Sequence, residues 1–152
     1  MKSVLTSILF IVLLFPSQRG LAQPATTGIW ATLSMVTFER VFNEDWGMEI
    51  EVPKVNMAVR ALEGKVIEVN GYIIPLEGKI EQSHIMLSAF PQSLCFFCGK
   101  AGPETAMQAF MKEGEKVKYS PDKVTLKGVL RINEKDISSL LYTLEDAELV
   151  KK

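Results

Sequence analysis

Two long alternating stretches, each interrupted near its middle by a glycine, restrict this chain more than any other feature. In Lys65 to Leu76, the residues Ile67, Val69, Gly71 and Ile73 fall on one face by the two-residue period of a strand. In Val124 to Ile132, the residues Val124, Leu126, Leu130 and Ile132 share the face of Gly128. A glycine inside a strand costs stability unless the strand must bend or another backbone must come close. Two long strands bent at glycines suit a small, strongly coiled barrel better than a flat sheet.

The remaining segments supply the other walls. Ser83 to Ala89 alternates, with Ile85, Leu87 and Ala89 on one face, and Leu140 to Val150 reads as a last strand with a bulge near Glu145 and Asp146. Apolar residues from Trp30 to Phe42, an Asn43-Glu44-Asp45 turn and the alternating Met48 to Val52 run suggest a hairpin with one wet face, and Trp30 and Trp46 read as packing residues. Gly102-Pro103-Glu104 resembles a helix start, Ala106, Met107, Phe110 and Met111 recur at helical spacing, and Gly114 follows as a stop. The expectation is a mainly β fold: a small OB-like β-barrel of five or six strands with one helix inserted late.

The first 22 residues read as a cleaved export signal. Lys2 gives a positive start, Val4 to Phe15 an apolar run, and Gly20-Leu21-Ala22 a small-x-small cleavage site. That run is shorter than the roughly 20 apolar residues of a spanning helix, so no membrane span is expected after cleavage. Residues 23–29 read as a flexible leader, and 30–152 as a single domain, exported to the periplasm or cell surface of a Gram-negative bacterium. Taking Lys2 and Arg19 from the 17 basic residues leaves 15 against 18 acidic ones, a formal charge of −3. That balance disfavours a nucleic-acid partner, which wants a basic face.

Chemistry points to Cys95-Phe96-Phe97-Cys98-Gly99, which holds both cysteines of the chain. In an exported chain a C-x-x-C pair is open to three uses: half a zinc site, a redox dithiol, or a short structural disulfide between Cys95 and Cys98. Gly99 in place of histidine excludes covalent c-type haem attachment. His84, the single histidine, begins the strand that leads into this segment, and Glu104 follows closely, so Cys95, Cys98, His84 and Glu104 are the candidate ligands of a divalent metal such as zinc. A redox dithiol wants a helix N-terminus close to its thiols, and Pro103 lies five residues beyond Cys98. No G-x-S-x-G and no glycine-rich phosphate loop is present, so a hydrolase is not expected.

The run Gly71-Tyr72-Ile73-Ile74-Pro75-Leu76-Glu77, with His84 to Ser88, Cys95 to Gly99 and Gly102-Pro103-Glu104 after it, resembles a family of exported bacterial proteins known as a domain of unknown function. Its members combine a G-Y-[IV]-[IV]-P-L strand with a downstream cysteine segment and are similar to OB-like barrels. The Trp30-x-x-Leu33 start and the Tyr142-x-Leu144-x-x-Ala147-Glu148 end fit the same pattern. One branch carries a single cysteine closely followed by histidine and a proline run, and some of its members are associated with metal-linked ABC transport. This chain departs from that branch, having two cysteines and an upstream histidine. The leading expectation is an exported metal-binding protein, accessory to transport. The alternatives are a thiol-disulfide redox module and a non-catalytic adaptor whose Cys95–Cys98 staple shapes the Phe96-Phe97 loop for an envelope protein partner.

Overall fold

A computed structural model describes residues 28–75, 80–136 and 138–150. The export signal at 1–22 and nearly all of the leader at 23–29 therefore lie outside the described residues. Among the described residues two short helices, α1 (Ile29–Leu33) and α2 (Met57–Arg60), accompany nine strands: β1 (Thr37–Asn43), β2 (Met48–Lys54), β3 (Val66–Ile74), β4 (Glu81–Gln82), β5 (His84–Ser88), β6 (Ala106–Met111), β7 (Val117–Lys118), β8 (Val124–Ile132) and β9 (Tyr142–Leu149). Among the described residues no helix is long and apolar enough to cross a membrane.

Five strands close a barrel in the order β3-β5-β6-β9-β8, with β8 returning to β3. All neighbours are antiparallel except β6 and β9, which run parallel. This is the expected small OB-like barrel. The glycines explain its closure. β3 pairs with β8 from Val66 to Gly71 and with β5 from Tyr72 to Ile74, so Gly71 stands where the strand changes partner. A Cβ there would lie 2.6 Å from the Ser88 carbonyl oxygen. At Gly128 it would lie 2.7 Å from the Glu145 carbonyl oxygen, beside the bulge that shifts the register of β8 against β9 and sets Asp146 at φ 49°.

The barrel interior is filled by Val69, Ile85, Leu87, Met107, Leu126, Leu130 and Leu144, all buried. One end is closed by α1, whose Trp30 and Leu33 are buried. Trp30 Nε1 donates to the Asn70 carbonyl at 2.7 Å and Tyr142 Oη to the Leu33 carbonyl at 2.7 Å, so the helix is pinned to β3 and β9. Burying each large apolar side chain contributes about 1.5–3 kcal/mol, which outweighs the poor intrinsic stability of a helix of only five residues.

Three expectations need correction. The stretch after Gly102 is not a helix: Pro103–Thr105 forms a single 3₁₀ turn and Ala106–Met111 is strand β6. Its Met107, Ala109 and Met111 point inward while Gln108 is half-buried and Phe110 exposed, a two-residue period hidden in the sequence by the smallness of Ala109. Pairing on both edges, to β5 and β9, decides the outcome over local spacing. Secondly, Trp30 belongs to α1, so the hairpin begins only at Thr37. Thirdly, that hairpin has no dry face along most of its length. Phe42, Trp46 and Met48 are all more than half exposed, and Trp46 is not a packing residue. An Asn43 side chain accepting from the Trp46 amide at 2.9 Å and Gly47 at φ 63° shape its tip.

Candidate functional site

The cysteine segment leaves the barrel at the end of β5. Ser88 Oγ accepts from the Phe90 amide at 3.1 Å, and the Ala89 amide donates to the Thr105 carbonyl at 3.0 Å. Two consecutive 3₁₀ turns follow, Gln92–Leu94 and Phe96–Cys98. The second is closed by the Cys98 amide on the Cys95 carbonyl at 3.1 Å and ends at Gly99, which takes the left-handed conformation at φ 67°.

Both thiols are free, Cys95 buried and Cys98 exposed as a residue. The Cys98 thiol donates to the Gln92 carbonyl at 2.9 Å. Loss of water around that sulfur, then its contact with Cys95, pushes the Cys98 pKa above the 9.0 of an ordinary thiol, with Lys100 pulling weakly the other way. Such a thiol is protonated at neutral pH, unlike the low-pKa thiolate that drives fast dithiol catalysis.

The other two candidate ligands are placed differently. His84 is at the opposite end of β5 from the segment that carries the thiols. At about 3.3 Å per residue it stands roughly 13 Å from Ser88, with six further residues before Cys95. Its ring stacks on Phe110, the directly opposed residue of β6, with centroids 4.2 Å apart and planes at 10°. Its Nε2 is buried and finds no hydrogen-bond partner among the described residues. The Glu104 carboxylate folds back over Gly102 and lies close enough to Tyr142 to add to the upward pKa shift that burial imposes on that phenol. Among the described residues no three of His, Cys, Asp and Glu come together as a metal-holding group. Cys95 and Cys98 by themselves supply two of the four ligands of a tetrahedral zinc set.

What the structure brings together instead is a cleft of about 480 Å³ on the outer face of β5 and β6. Phe38 and Pro53, from the base of the hairpin, form one wall, and Met86 and Gln108 the floor. Phe96 and Phe97, packed edge to face with centroids 5.2 Å apart, form the opposite wall. Asn133, Glu134, Asp136 and residues 138–141 line the cleft as well. Gln108 is held on the floor by its amide donating to Thr143 Oγ1 at 2.9 Å.

The charge on this cleft has one sign. Glu51, Glu134 and Asp136 line it and, among the described residues, no lysine or arginine does. Arg60 pairs with Glu134 at 2.6 Å and Arg40 with Glu51 at 3.5 Å, neither arginine lining the cleft itself. Asp136 accepts from Ser138 Oγ at 2.6 Å and from Ser139 Oγ at 2.8 Å, which holds its pKa below the usual carboxylate range and keeps it ionised. The sequence pointed to Phe96 and Phe97 but not to the rest of the cleft, because its walls come from five segments that are far apart in the chain.

A second cleft, also about 480 Å³, lies beside the start of the cysteine segment, at Pro91 to Ser93. It is lined by Tyr72, Tyr119, Pro91, Gln92 and Pro121. In comparisons with family models, with curated proteins and with solved structures, nothing matches the chain.

Proposed function

We propose that this chain is a non-catalytic binding module whose cleft between the hairpin base and the cysteine turn takes an extended peptide segment of a partner protein, apolar at its centre and basic at its flanks. One observation carries the reading: Phe96 and Phe97, set between the cysteines, line the same cleft as Phe38 and Pro53 from the hairpin and Met86 from the barrel. Aromatic, methionine and proline surface is the composition of a recognition site for apolar side chains. The outer face of these two strands is also where OB-type barrels hold chain-like ligands. A nucleic acid or other polyanion is disfavoured by Asp136, which stays ionised with no basic side chain paired to it, and by the lack of a basic lining residue among the described residues, whereas lysine or arginine flanks would be attracted. The paired cysteines then shape a wall of the cleft instead of performing chemistry on what enters it.

The test is calorimetric titration of the full chain with a synthetic peptide of leucine and phenylalanine flanked by lysines. The expected result is saturable binding, weakened about tenfold or more, roughly 1.4 kcal/mol, by Phe97→Ala or Phe38→Ala, with circular dichroism unchanged. Equal binding of a peptide with glutamate flanks, or indifference to both substitutions, would overturn the proposal. Metal analysis of the same native sample provides the contrast. Close to one equivalent of zinc, lost in the Cys95→Ala, Cys98→Ala double variant, would restore the metal-binding reading in its place.

A further inference from the structure

We infer that Cys95 and Cys98 form a reversible modification site for disulfide-bearing co-reactants, and that closing the Cys95–Cys98 bond moves the Phe96-Phe97 wall of the cleft and weakens ligand capture. The part that concerns ligand capture rests on the functional reading above; the movement of the wall does not.

Geometry supports the first half. Residues that close a turn by an i to i+3 hydrogen bond have Cα atoms within about 7 Å, close to the range a disulfide spans. Cys95 and Cys98 close such a turn at 3.1 Å between amide nitrogen and carbonyl oxygen. The two thiols are near enough for Cys95 to be among the causes that raise the Cys98 pKa. Cys95 is buried and Cys98 exposed, which assigns the order of attack. The Cys98 thiol loses its proton to solvent and its sulfur attacks a small disulfide RSSR, forming Cys98–S–S–R and releasing RS⁻, which takes up a proton. Cys95 then gives up its proton and attacks the Cys98 sulfur, expelling the second RS⁻. Overall two thiols and one RSSR become one protein disulfide and two RSH, the two electrons passing to the small disulfide.

The second half follows from what that bond removes. In the dithiol form the Cys98 thiol donates to the Gln92 carbonyl at 2.9 Å, tying the second 3₁₀ turn to the first. A disulfide sulfur has no proton to donate, so that tie is lost and the turn carrying Phe96 and Phe97 is drawn instead toward Cys95. Cys95 cannot move to meet it, being wholly buried. The displacement therefore falls on the two phenylalanines that line the cleft, Phe97 being 48% exposed.

The experiment equilibrates the full chain with mixtures of reduced and oxidised glutathione and follows the Met86 methyl and Phe38 ring signals by NMR. Both are expected to move in a single two-electron transition, although neither residue is within the cysteine turn. The lysine-flanked peptide is expected to bind the oxidised form about tenfold more weakly than the dithiol form. By reciprocity, saturating peptide then makes the reduction potential about 30 mV less negative. A Cys98→Ser variant is expected to keep the Met86 signal at its dithiol position in every mixture. Unmoved Met86 and Phe38 signals in the oxidised protein, a Cys98→Ser variant that shifts like the parent, or equal affinity of both forms would overturn the inference. A peptide that binds neither form would overturn only the functional reading of the cleft, with the Met86 and Phe38 signals still deciding whether the wall moves.

Discussion

At Gly71 and Gly128 a single added carbon would meet carbonyl oxygens of the facing strands at 2.6 and 2.7 Å. Both obstacles are backbone, which cannot swing aside as a long side chain can. Gly71→Ala and Gly128→Ala are each expected to lower stability by about 1–3 kcal/mol, the range for overpacking a close contact, measured as a fall in the denaturant midpoint. Tyr142 bears on the opposite concern, a polar atom inside the core. Its hydroxyl donates to the Leu33 carbonyl, and Tyr142→Phe should cost about 1–2 kcal/mol near neutral pH by leaving that carbonyl unpaired. Burial first, and Glu104 second, raise the phenol pKa above its ordinary 10.0. The folded state therefore keeps its proton at a pH where the unfolded chain has lost it. Tyr142's contribution is complete below pH 10.0 and is lost as pH rises through the folded value. Alkaline unfolding of Tyr142→Phe should show a shallower dependence on pH above that point.

Among the elements, β3, β5 and β8 were legible in the sequence because each alternates cleanly, β9 was legible despite its bulge at Asp146, and the glycines of β3 and β8 announced the coiling that closes the barrel. β6 was not legible. Ala106, Met107, Phe110 and Met111 satisfy a helical spacing as well as they hide a strand, and six residues are too few for periodicity to separate the two. The site was legible only in part for a similar reason. Spacing marks the cysteine turn, but whether His84 lies near the thiols depends on the direction and length of β5, which places it at the far end. There His84 serves as the cross-strand partner of Phe110. A double-mutant cycle with His84→Ala and Phe110→Ala should return a coupling of about 0.5–1 kcal/mol. Peptide affinity should be unaltered in His84→Ala. A histidine acting with the thiols would instead couple to Cys98 and not to Phe110.

On the scale of the molecule, the barrel and the hairpin make separable contributions. The barrel is sealed by α1, so Trp30 and Leu33 belong to the core and cannot be removed without exposing it. The hairpin, by contrast, pairs only with itself among the described strands and exposes Phe42, Trp46 and Met48. Its two ends are held together at the barrel: Thr37 pairs with Lys54, and Asn56 both donates to the Met35 carbonyl at 3.0 Å and caps α2 by accepting from the Val59 amide at 3.0 Å. Paired strand residues have Cα atoms about 4.5–5.5 Å apart, so a short glycine-serine link can replace residues 37–54 without straining Val36 or Val55. The core then loses mainly the partial burial of Phe38, a cost of about 1–2 kcal/mol. Such a variant should unfold cooperatively, with Trp30 still buried as judged by its fluorescence. It should fail to bind the lysine-flanked peptide, because Phe38, Glu51 and Pro53 are gone from the cleft. Retained binding would show that the barrel face and the cysteine turn suffice by themselves, and loss of cooperative unfolding would show that the hairpin is part of the fold's own stability.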